Sequence, residues 1–118
     1  MSYDIELIDP VSRTVLELDN AHTMRGGTYC IGGSNEAKLN VTYNYSPHYR
    51  RVMGDGGIRS IYGKSGAESI PILTAAIGAL GDEVNPDYWT PTEGNAKRAL
   101  VQLRTLAQMR PDGIWSGD

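Results

Sequence analysis

The spacing of apolar residues changes near residue 46, and this change constrains the fold more than any other feature. Before it, apolar and polar residues alternate, which is the period of a β-strand with one buried face. After it, apolar residues recur with the period of an α-helix. Strands followed by helices are typical of the α+β class. With 118 residues, the chain is predicted to form a single domain spanning residues 1–118.

Four segments of the first part predict strands: residues 3–9, 14–19, 28–31 and 37–45. The first two are separated by Asp9-Pro10-Val11-Ser12-Arg13, so they are expected to form a hairpin. The third is short and lies between two glycine pairs, Gly26-Gly27 and Gly32-Gly33. The sequence therefore predicts a four-stranded antiparallel sheet.

The second part predicts one short helix over residues 47–53 and two longer helices. The first longer helix covers about 67–80 and begins either at Ser65, which with Glu68 fits a capping box, or at Ser69, which leaves Pro71 in the first turn. It is apolar on nearly all sides, so burial across the sheet is expected. The second begins at Thr90-Pro91-Thr92-Glu93 and ends before Pro111. Both longer helices are predicted to pack on one face of the sheet.

Charge is distributed unevenly along the chain. The net charge is −3, yet residues 22–66 hold six bases and two acids, a local excess of four positive charges. The same segment holds nine of the fourteen glycines, five of the seven tyrosines and both histidines. A net acidic protein is poorly suited to non-specific nucleic-acid binding, whereas a local basic segment suits a specific anionic partner. Residues 22–66 are therefore predicted to carry the function, rather than the flanking segments.

The cysteine content and the hydropathy pattern predict the compartment. Cys30 is the single cysteine, so no disulfide forms within the chain, which is typical of a reducing compartment. No run of about 18 apolar residues is present, and the first residues do not resemble a signal peptide. We expect a cytoplasmic protein with no membrane partner.

Familiar catalytic and metal-binding motifs do not fit the sequence. Gly63-Lys64-Ser65 resembles the end of a phosphate-binding loop, but Ile58 occupies the position of its first glycine. A simpler anion site at the following helix, or an ordinary turn, stays open. His22 and His48 lack the spacing of metal ligands, and Cys30 is expected to be a buried residue of a short strand. No catalytic residue, metal ligand or cofactor is predicted.

Two groups of residues remain as candidates for binding. Tyrosines and arginines around residues 43–51 suit a nucleobase and a phosphate, although core tyrosines beside solvated arginines are the simpler interpretation. A polar row along the last strand suits a partner backbone, with simple solvent exposure as the alternative. The predicted contact residues are Asn40, Thr42, Asn44, Tyr45, His48, Tyr49, Arg50, Arg51, Arg59 and Lys64.

Several blocks of the chain resemble a family of proteins whose genetic setting is known. These are LNVTYNYS (residues 39–46), GIRSIYGKSGAESIP (57–71), GNAK (94–97) and MRPDG (109–113). They are similar to uncharacterised small proteins encoded by bacteriophages, prophages and mobile elements. The resemblance implies a host-cell cytoplasm and, by analogy with other small phage proteins, a host component as the partner. It implies no activity for any individual residue.

These observations predict a non-enzymatic binding protein of phage or mobile-element origin that engages a host or phage protein as inhibitor or adaptor. The alternative is a nucleotide or nucleic-acid binding protein that uses the Gly/Tyr/Arg-rich surface of residues 22–66. A small hydrolase or transferase using Cys30 or a histidine is a remote alternative. A sheet edge that pairs with a second copy would give a homo-oligomer.

Overall fold

Five strands and three α-helices form the computed structural model, which describes residues 1–118. In chain order they are β1 (Ser2–Ile8), β2 (Glu17–His22), β3 (Ser34–Glu36), β4 (Lys38–Thr42), α1 (Ser46–Met53), α2 (Gly66–Ala79), α3 (Glu93–Met109) and β5 (Ile114–Gly117). Two short 3-10 helices, Tyr43–Tyr45 and Gly57–Ile61, precede and follow α1. The α+β class is confirmed, and so is a short helix near 47–53.

The predicted four-stranded sheet is wrong, because the strands form two sheets. β1 is central in an antiparallel sheet of order β4-β1-β5, while β2 and β3 form a separate antiparallel pair. The predicted hairpin is reduced to one antiparallel bridge between Ile8 and Val15, with bonds from the Asp9 N–H to Thr14 and from the Leu16 N–H to Leu7, because β2 then pairs with β3. Residues 28–31 form a loop rather than a strand. The glycine pairs around them therefore do not bracket a strand.

The capping box at Ser65 starts α2, so the alternative start at Ser69 is wrong. The Ser65 side chain accepts from the Glu68 N–H at 3.0 Å, and the Glu68 carboxylate accepts from the Ser65 N–H at 2.9 Å. Pro71 therefore lies inside the helix. The expectation of burial on nearly all sides is also wrong, because one face of α2, formed by Pro71, Thr74, Ala75, Gly78 and Ala79, is exposed. Its residues are small, so exposing them costs little hydrophobic stabilisation.

The N-cap of α3 lies two residues after Thr90, the first threonine of the predicted capping box. Thr92, not Thr90, is the N-cap, and its side chain accepts from the Asn95 N–H at 3.1 Å. The apolar stripe predicted for this helix is buried: Ala96, Ala99, Leu100, Leu103, Leu106 and Ala107 all belong to the core. This stripe lies in one core with the inner face of the sheet and with the buried residues of α2.

Alternation along β1 gives the three-stranded sheet two different faces. Tyr3, Ile5 and Leu7 are buried in the core, together with residues opposite them in register, Val41, Leu39 and Trp115. Asp4 and Glu6 lie on the other face, opposite Asn40 and Lys38 of β4. One strand therefore contributes apolar side chains to the helix side and carboxylates to the other side.

Both edges of this sheet are covered by other parts of the chain. At β5, the Gly63 N–H donates to Trp115 and the Trp115 N–H donates to Lys64, each at 2.9 Å. At β4, the Gly27 N–H donates to the Asn40 carbonyl at 3.2 Å, and the Tyr88 hydroxyl accepts from the Thr42 N–H at 3.0 Å. A second copy that added a strand would have to displace these bonds. Homo-oligomer formation through a sheet edge thus gains no support.

Membrane crossing by a helix requires a long apolar segment. None of the three helices combines the length and the apolar character that such a crossing needs.

Candidate functional site

Two of the predicted contact residues lie in the core and are not available to a partner. Tyr45 and Tyr49 are fully buried. The Tyr45 hydroxyl donates to the Tyr88 carbonyl, and the Tyr49 hydroxyl donates to the Ala96 carbonyl at 2.9 Å. Burial raises the pKa of both tyrosines well above the usual value. The prediction of these two residues as contacts is therefore wrong, and the alternative of core tyrosines holds for Tyr45.

The polar row of β4 is occupied by bonds within the chain. Asn40 is buried, and its side-chain amide donates to Ser2 and to Asp4, each at 2.7 Å. The buried Thr42 uses its hydroxyl oxygen to accept from the Asn44 N–H at 3.1 Å. These groups are satisfied, as buried polar groups in folded proteins generally are. Asn40 and Thr42 therefore hold neighbouring segments to β4 and do not form a free row.

His48 and Arg51 connect α1 to the segment that leads into α3. Since the Pro91 carbonyl can only accept, His48 Nε2 donates to it at 2.7 Å. Arg51 forms an ion pair with Glu93 at 3.0 Å. The pKa of Glu93 is lowered, first by the bond from the Gly81 N–H and then by Arg51. Both predicted residues thus have structural partners.

Lys64 and the Gly63-Lys64-Ser65 segment follow the edge of β5. The Lys64 side chain is exposed, and its carbonyl accepts from the Trp115 N–H. The Ser65 N–H is already bonded to the Glu68 carboxylate at 2.9 Å. A phosphate at this helix start would have to compete with that carboxylate for the donor. The capping box thus makes the segment a turn and a helix start.

The remaining predicted residues meet in one open groove. It has a volume of about 380 Å³ and lies where β1, the first 3-10 helix, α1 and the second 3-10 helix come together. We call it the arginine groove. Its lining consists of Tyr3, Tyr43, Asn44, Ser46, Pro47, Arg50 and Arg59. Of the predicted contacts, the structure brings together Asn44, Arg50 and Arg59.

Arg59 is held against the aromatic wall of the groove. Its guanidinium lies 5.0 Å from the centroid of the Tyr3 ring and 5.8 Å from that of Tyr43. Its Nε donates to the main-chain oxygen of Asp118 at 2.9 Å. The two rings meet edge to face at 4.5 Å, and the Tyr3 hydroxyl bonds to the Ser46 hydroxyl at 2.6 Å. A longer bond of 3.4 Å runs from its Nη2 to the Tyr43 hydroxyl. Arg59 is therefore positioned by stacking and by hydrogen bonds before any ligand arrives.

Arg50 supplies the second positive charge of the groove. It is exposed on α1 and makes no ion pair or side-chain hydrogen bond within the chain, unlike its neighbour Arg51. The stem of Arg50 runs beside Gly57, which is buried and has a φ of 55°. Asn44 is exposed at the same groove and donates to the Trp89 carbonyl at 2.9 Å. Because the Arg50 side chain has no partner within the chain, all its guanidinium donors are free to bind an anionic group.

The predicted contacts leave out four lining residues, Tyr3, Tyr43, Ser46 and Pro47. Tyr3 was assigned to a flanking segment that was expected to carry no function. Two features of the sequence pointed to Tyr3: its aromatic ring, and its position one residue before Asp4 in a strand that alternates apolar and polar residues. The pairing that brings it to Tyr43 and Ser46 joins residues about forty positions apart, which alternation alone does not reveal.

The residues considered for catalysis have the following positions in the structure. Cys30 was expected to be buried in a strand, but it is exposed in a loop. His22 uses both ring nitrogens, because Nδ1 accepts from the Met24 N–H at 3.2 Å and Nε2 meets the Glu36 carbonyl at 2.8 Å. No cluster of three or more His, Cys, Asp or Glu side chains is arranged to hold a metal ion.

Comparison with known proteins gives no relative from which a role could be transferred. No protein-family model matches the chain, and no curated protein or solved structure is similar to it. The chemistry of the arginine groove is therefore the basis for a functional assignment.

Proposed function

We propose that this chain is a non-enzymatic binding protein that engages a partner protein, as inhibitor or adaptor, through the arginine groove. The observation that carries the proposal is one free guanidinium, Arg50, in the same groove as a positioned one, Arg59. The group we expect the groove to receive is an acidic side chain of the partner. The resemblance to phage and mobile-element proteins makes a protein of the host cytoplasm the partner that we propose.

Hydrogen bonds between charged groups give such a groove its selectivity. An arginine binds a carboxylate through two parallel N–H bonds, which are stronger and more directional than neutral hydrogen bonds. Because Arg50 has no partner within the chain, binding an anion does not require an existing ion pair to break. Because Arg59 is stacked on two rings, it loses little side-chain entropy when a ligand binds. Both features favour an anionic ligand.

A nucleotide or nucleic-acid strand is the second candidate, since guanidinium groups bind phosphate as well as carboxylate. Stacking of a base on tyrosine is the usual supplement to phosphate contacts in such sites. In this groove the faces of Tyr3 and Tyr43 lie next to Arg59, which a base would have to displace. This arrangement favours an acidic protein segment over a nucleotide.

Fluorescence polarisation with a labelled short polyglutamate peptide tests the proposal. Replacing Arg50 by Gln should weaken binding by about tenfold, since a charge-assisted hydrogen-bonded contact contributes about 1.5–3 kcal/mol. Arg51→Gln is the matched control, because it removes the same charge from the next residue of α1, where Glu93 already pairs with the side chain. Its affinity should stay within about twofold of the parent.

The outcomes separate the candidates. Equal weakening by Arg50→Gln and Arg51→Gln would show a general charge effect and would remove the groove from the proposal. Tighter binding of a nucleotide or a labelled oligothymidine than of the peptide, with the same dependence on Arg50, would favour the second candidate. In that case affinity should also fall steeply as salt rises.

A further inference from the structure

A second cavity lies on the other side of the three-stranded sheet, outside the arginine groove. It has a volume of about 130 Å³ and separates the carboxylate-bearing face of β1 and β4 from the segment 22–34 that covers it. We call it the sheet cavity. Asp4, Glu6, Lys38 and Asn40 line it from the sheet, and the covering segment contributes His22, Thr23, Met24, Thr28, Tyr29, Cys30 and Ser34.

The covering segment is fixed to the sheet and to α3 by hydrogen bonds. The N–H groups of Gly27 and Thr28 donate to Asn40, at 3.2 Å to its carbonyl and 3.1 Å to its side chain. Gln102 of α3 bonds to both main-chain groups of Arg25, at 2.9 and 3.1 Å. A Cβ at position 26 would overlap the Asn40 carbonyl, so a glycine is required there. The cavity is therefore preformed.

The lining leaves carboxylate oxygens without partners. Glu6 lies opposite Lys38 in register, but its carboxylate makes no ion pair or hydrogen bond within the chain, and Lys38 pairs with Glu36 at 3.4 Å. Asp4 uses one oxygen to accept from Asn40 at 2.7 Å, and its second oxygen has no partner. Glu6 is partly buried, whereas Asp4 is exposed. A partly buried carboxylate without a partner is costly, so a donor that carries positive charge would relieve the cost at Glu6.

We propose that the sheet cavity binds a compact primary ammonium group on a short alkyl stem. Glu6 would accept from the ammonium, with the free oxygen of Asp4 as a further acceptor. The Met24 side chain and the Tyr29 ring give the stem an apolar wall. The volume is near that of an apolar cavity of about 150 Å³ that holds benzene, which limits the part of the ligand inside the cavity to about six non-hydrogen atoms.

Three probes of nearly equal size test the charge that the cavity selects: propylammonium, propanol and propionate. Titration of the full chain by two-dimensional amide NMR should show saturable shifts at Glu6, Thr28, Cys30 and Lys38 with propylammonium only. Glu6→Gln keeps the shape of the side chain and removes its charge, so affinity should fall by about fivefold. Glu17→Gln, an exposed acid of β2 outside the cavity, is the matched control and should leave the affinity unchanged.

Several results would overturn the proposal. They are equal shifts with all three probes, a preference for propionate, no saturable shift, or unchanged affinity in Glu6→Gln. The ammonium group could belong to a free amine or to the lysine of a protein. If Nα-acetyl-lysine amide gives the same shifts as propylammonium, the cavity accepts a chain-borne lysine; if propylammonium alone shifts these amides, the ligand is a free amine.

Discussion

The arginine groove and the sheet cavity receive neighbouring residues of the same strand but differ in the sign of their charge. Tyr3 of β1 points to the helix side and forms part of the groove, where the charged residues are arginines. Asp4 and Glu6 point to the other side and line the cavity, where carboxylates are left free. Alternation along one strand thus supplies two sites of opposite preference. The net charge of −3 indicates neither site.

The two sites are also supported differently. In the groove, Tyr3 belongs to the same core cluster as the buried Tyr45 and Tyr49, and Tyr43 packs against that cluster, so the geometry of the groove depends on the core. The cavity depends on a segment whose main chain is held by the Asn40 carbonyl, by the side chains of Asn40 and Gln102, and by the close approach at Gly26. Perturbing the core should therefore affect the groove first, and perturbing the covering segment should affect the cavity first.

Alkaline pH should produce the largest loss in the free energy of unfolding, through the buried tyrosines of the core that supports the groove. Burial raises the pKa of Tyr49 and of Tyr45 above the usual value of 10.0, so the folded state disfavours their ionised forms. The stability that this gives is fully present below pH 10 and is lost as pH rises further. Each pH unit above 10 should cost about 1.4 kcal/mol for Tyr49 alone.

Urea unfolding at several pH values measures this loss. Tyr49→Phe is the control: it should be less stable than the parent at neutral pH, where it lacks the bond to Ala96, and less sensitive to alkali. Parallel pH profiles for the variant and the parent would refute this prediction.

Gly26→Ala should break the cavity and spare the groove. The added methyl overlaps the Asn40 carbonyl, so the covering segment must move away from β4. We expect the free energy of unfolding to fall by about 2 kcal/mol and the response to propylammonium to disappear. Calorimetry and the NMR titration measure the two effects, while polyglutamate binding should change by less than about twofold.

Gly78→Ala serves as the control for a glycine without a close neighbour. It is exposed in α2 with open space around it, so alanine should stabilise the protein by about 0.5–1 kcal/mol. An equal loss of stability in both variants would mean that overlap at Gly26 is not the cause.

Tyr3→Phe should loosen the groove without changing the cavity. It removes the bond to the buried Ser46 hydroxyl, which then lacks this partner, and the unfolding free energy should fall by about 1 kcal/mol. Tyr43→Phe is the matched control, because the Tyr43 hydroxyl receives only a 3.4 Å contact from Arg59. Chemical denaturation of the two variants should rank Tyr3→Phe as the less stable; the reverse order would contradict the assigned roles.

Glu93 should give the smallest effect. Its pKa is lowered from 4.5, first by the Gly81 N–H and then by Arg51. The associated stability is present above pH 4.5 and is lost as pH falls through the lower folded value. Glu93→Gln should flatten the acid limb of the stability profile slightly, as measured by thermal melts in acid. An unchanged acid limb would show that the Arg51–Glu93 pair has no role.

The sequence predicted the elements that follow from local pattern. Helices α1 and α3 and the inner residues of β1 and β4 were predicted from periodicity and cap chemistry, whereas the capping box of Ser65 was one of two starts left open for α2. β5 was missed as a strand, because its four residues are too few to show alternation and its pairing with β1 joins the two ends of the chain. The division of the strands into two sheets was not predicted for a similar reason, because strand pairing depends on contacts between residues distant in sequence.

The sites were predicted only in part. Asn44, Arg50 and Arg59 were predicted as contacts and line one groove, although Asn44 was predicted in the polar row of the last strand rather than beside the arginines. Tyr45 and Tyr49 were misassigned because the helical phase that buries Tyr49 cannot be fixed from a short segment. The cavity was not predicted, since residues 1–21 were set aside as acidic flank. The signal was present in Asp4 and Glu6, which alternate with the core residues of β1.

The most direct test of opposite charge selection uses one labelled sample and two probes. Two-dimensional amide NMR follows the addition of polyglutamate peptide and, separately, of propylammonium. The account predicts that the peptide shifts amides of Tyr43, Asn44 and Arg50, and that propylammonium shifts those of Thr28, Cys30 and Lys38. Shifts of one common set by both probes, or the reverse assignment, would contradict it.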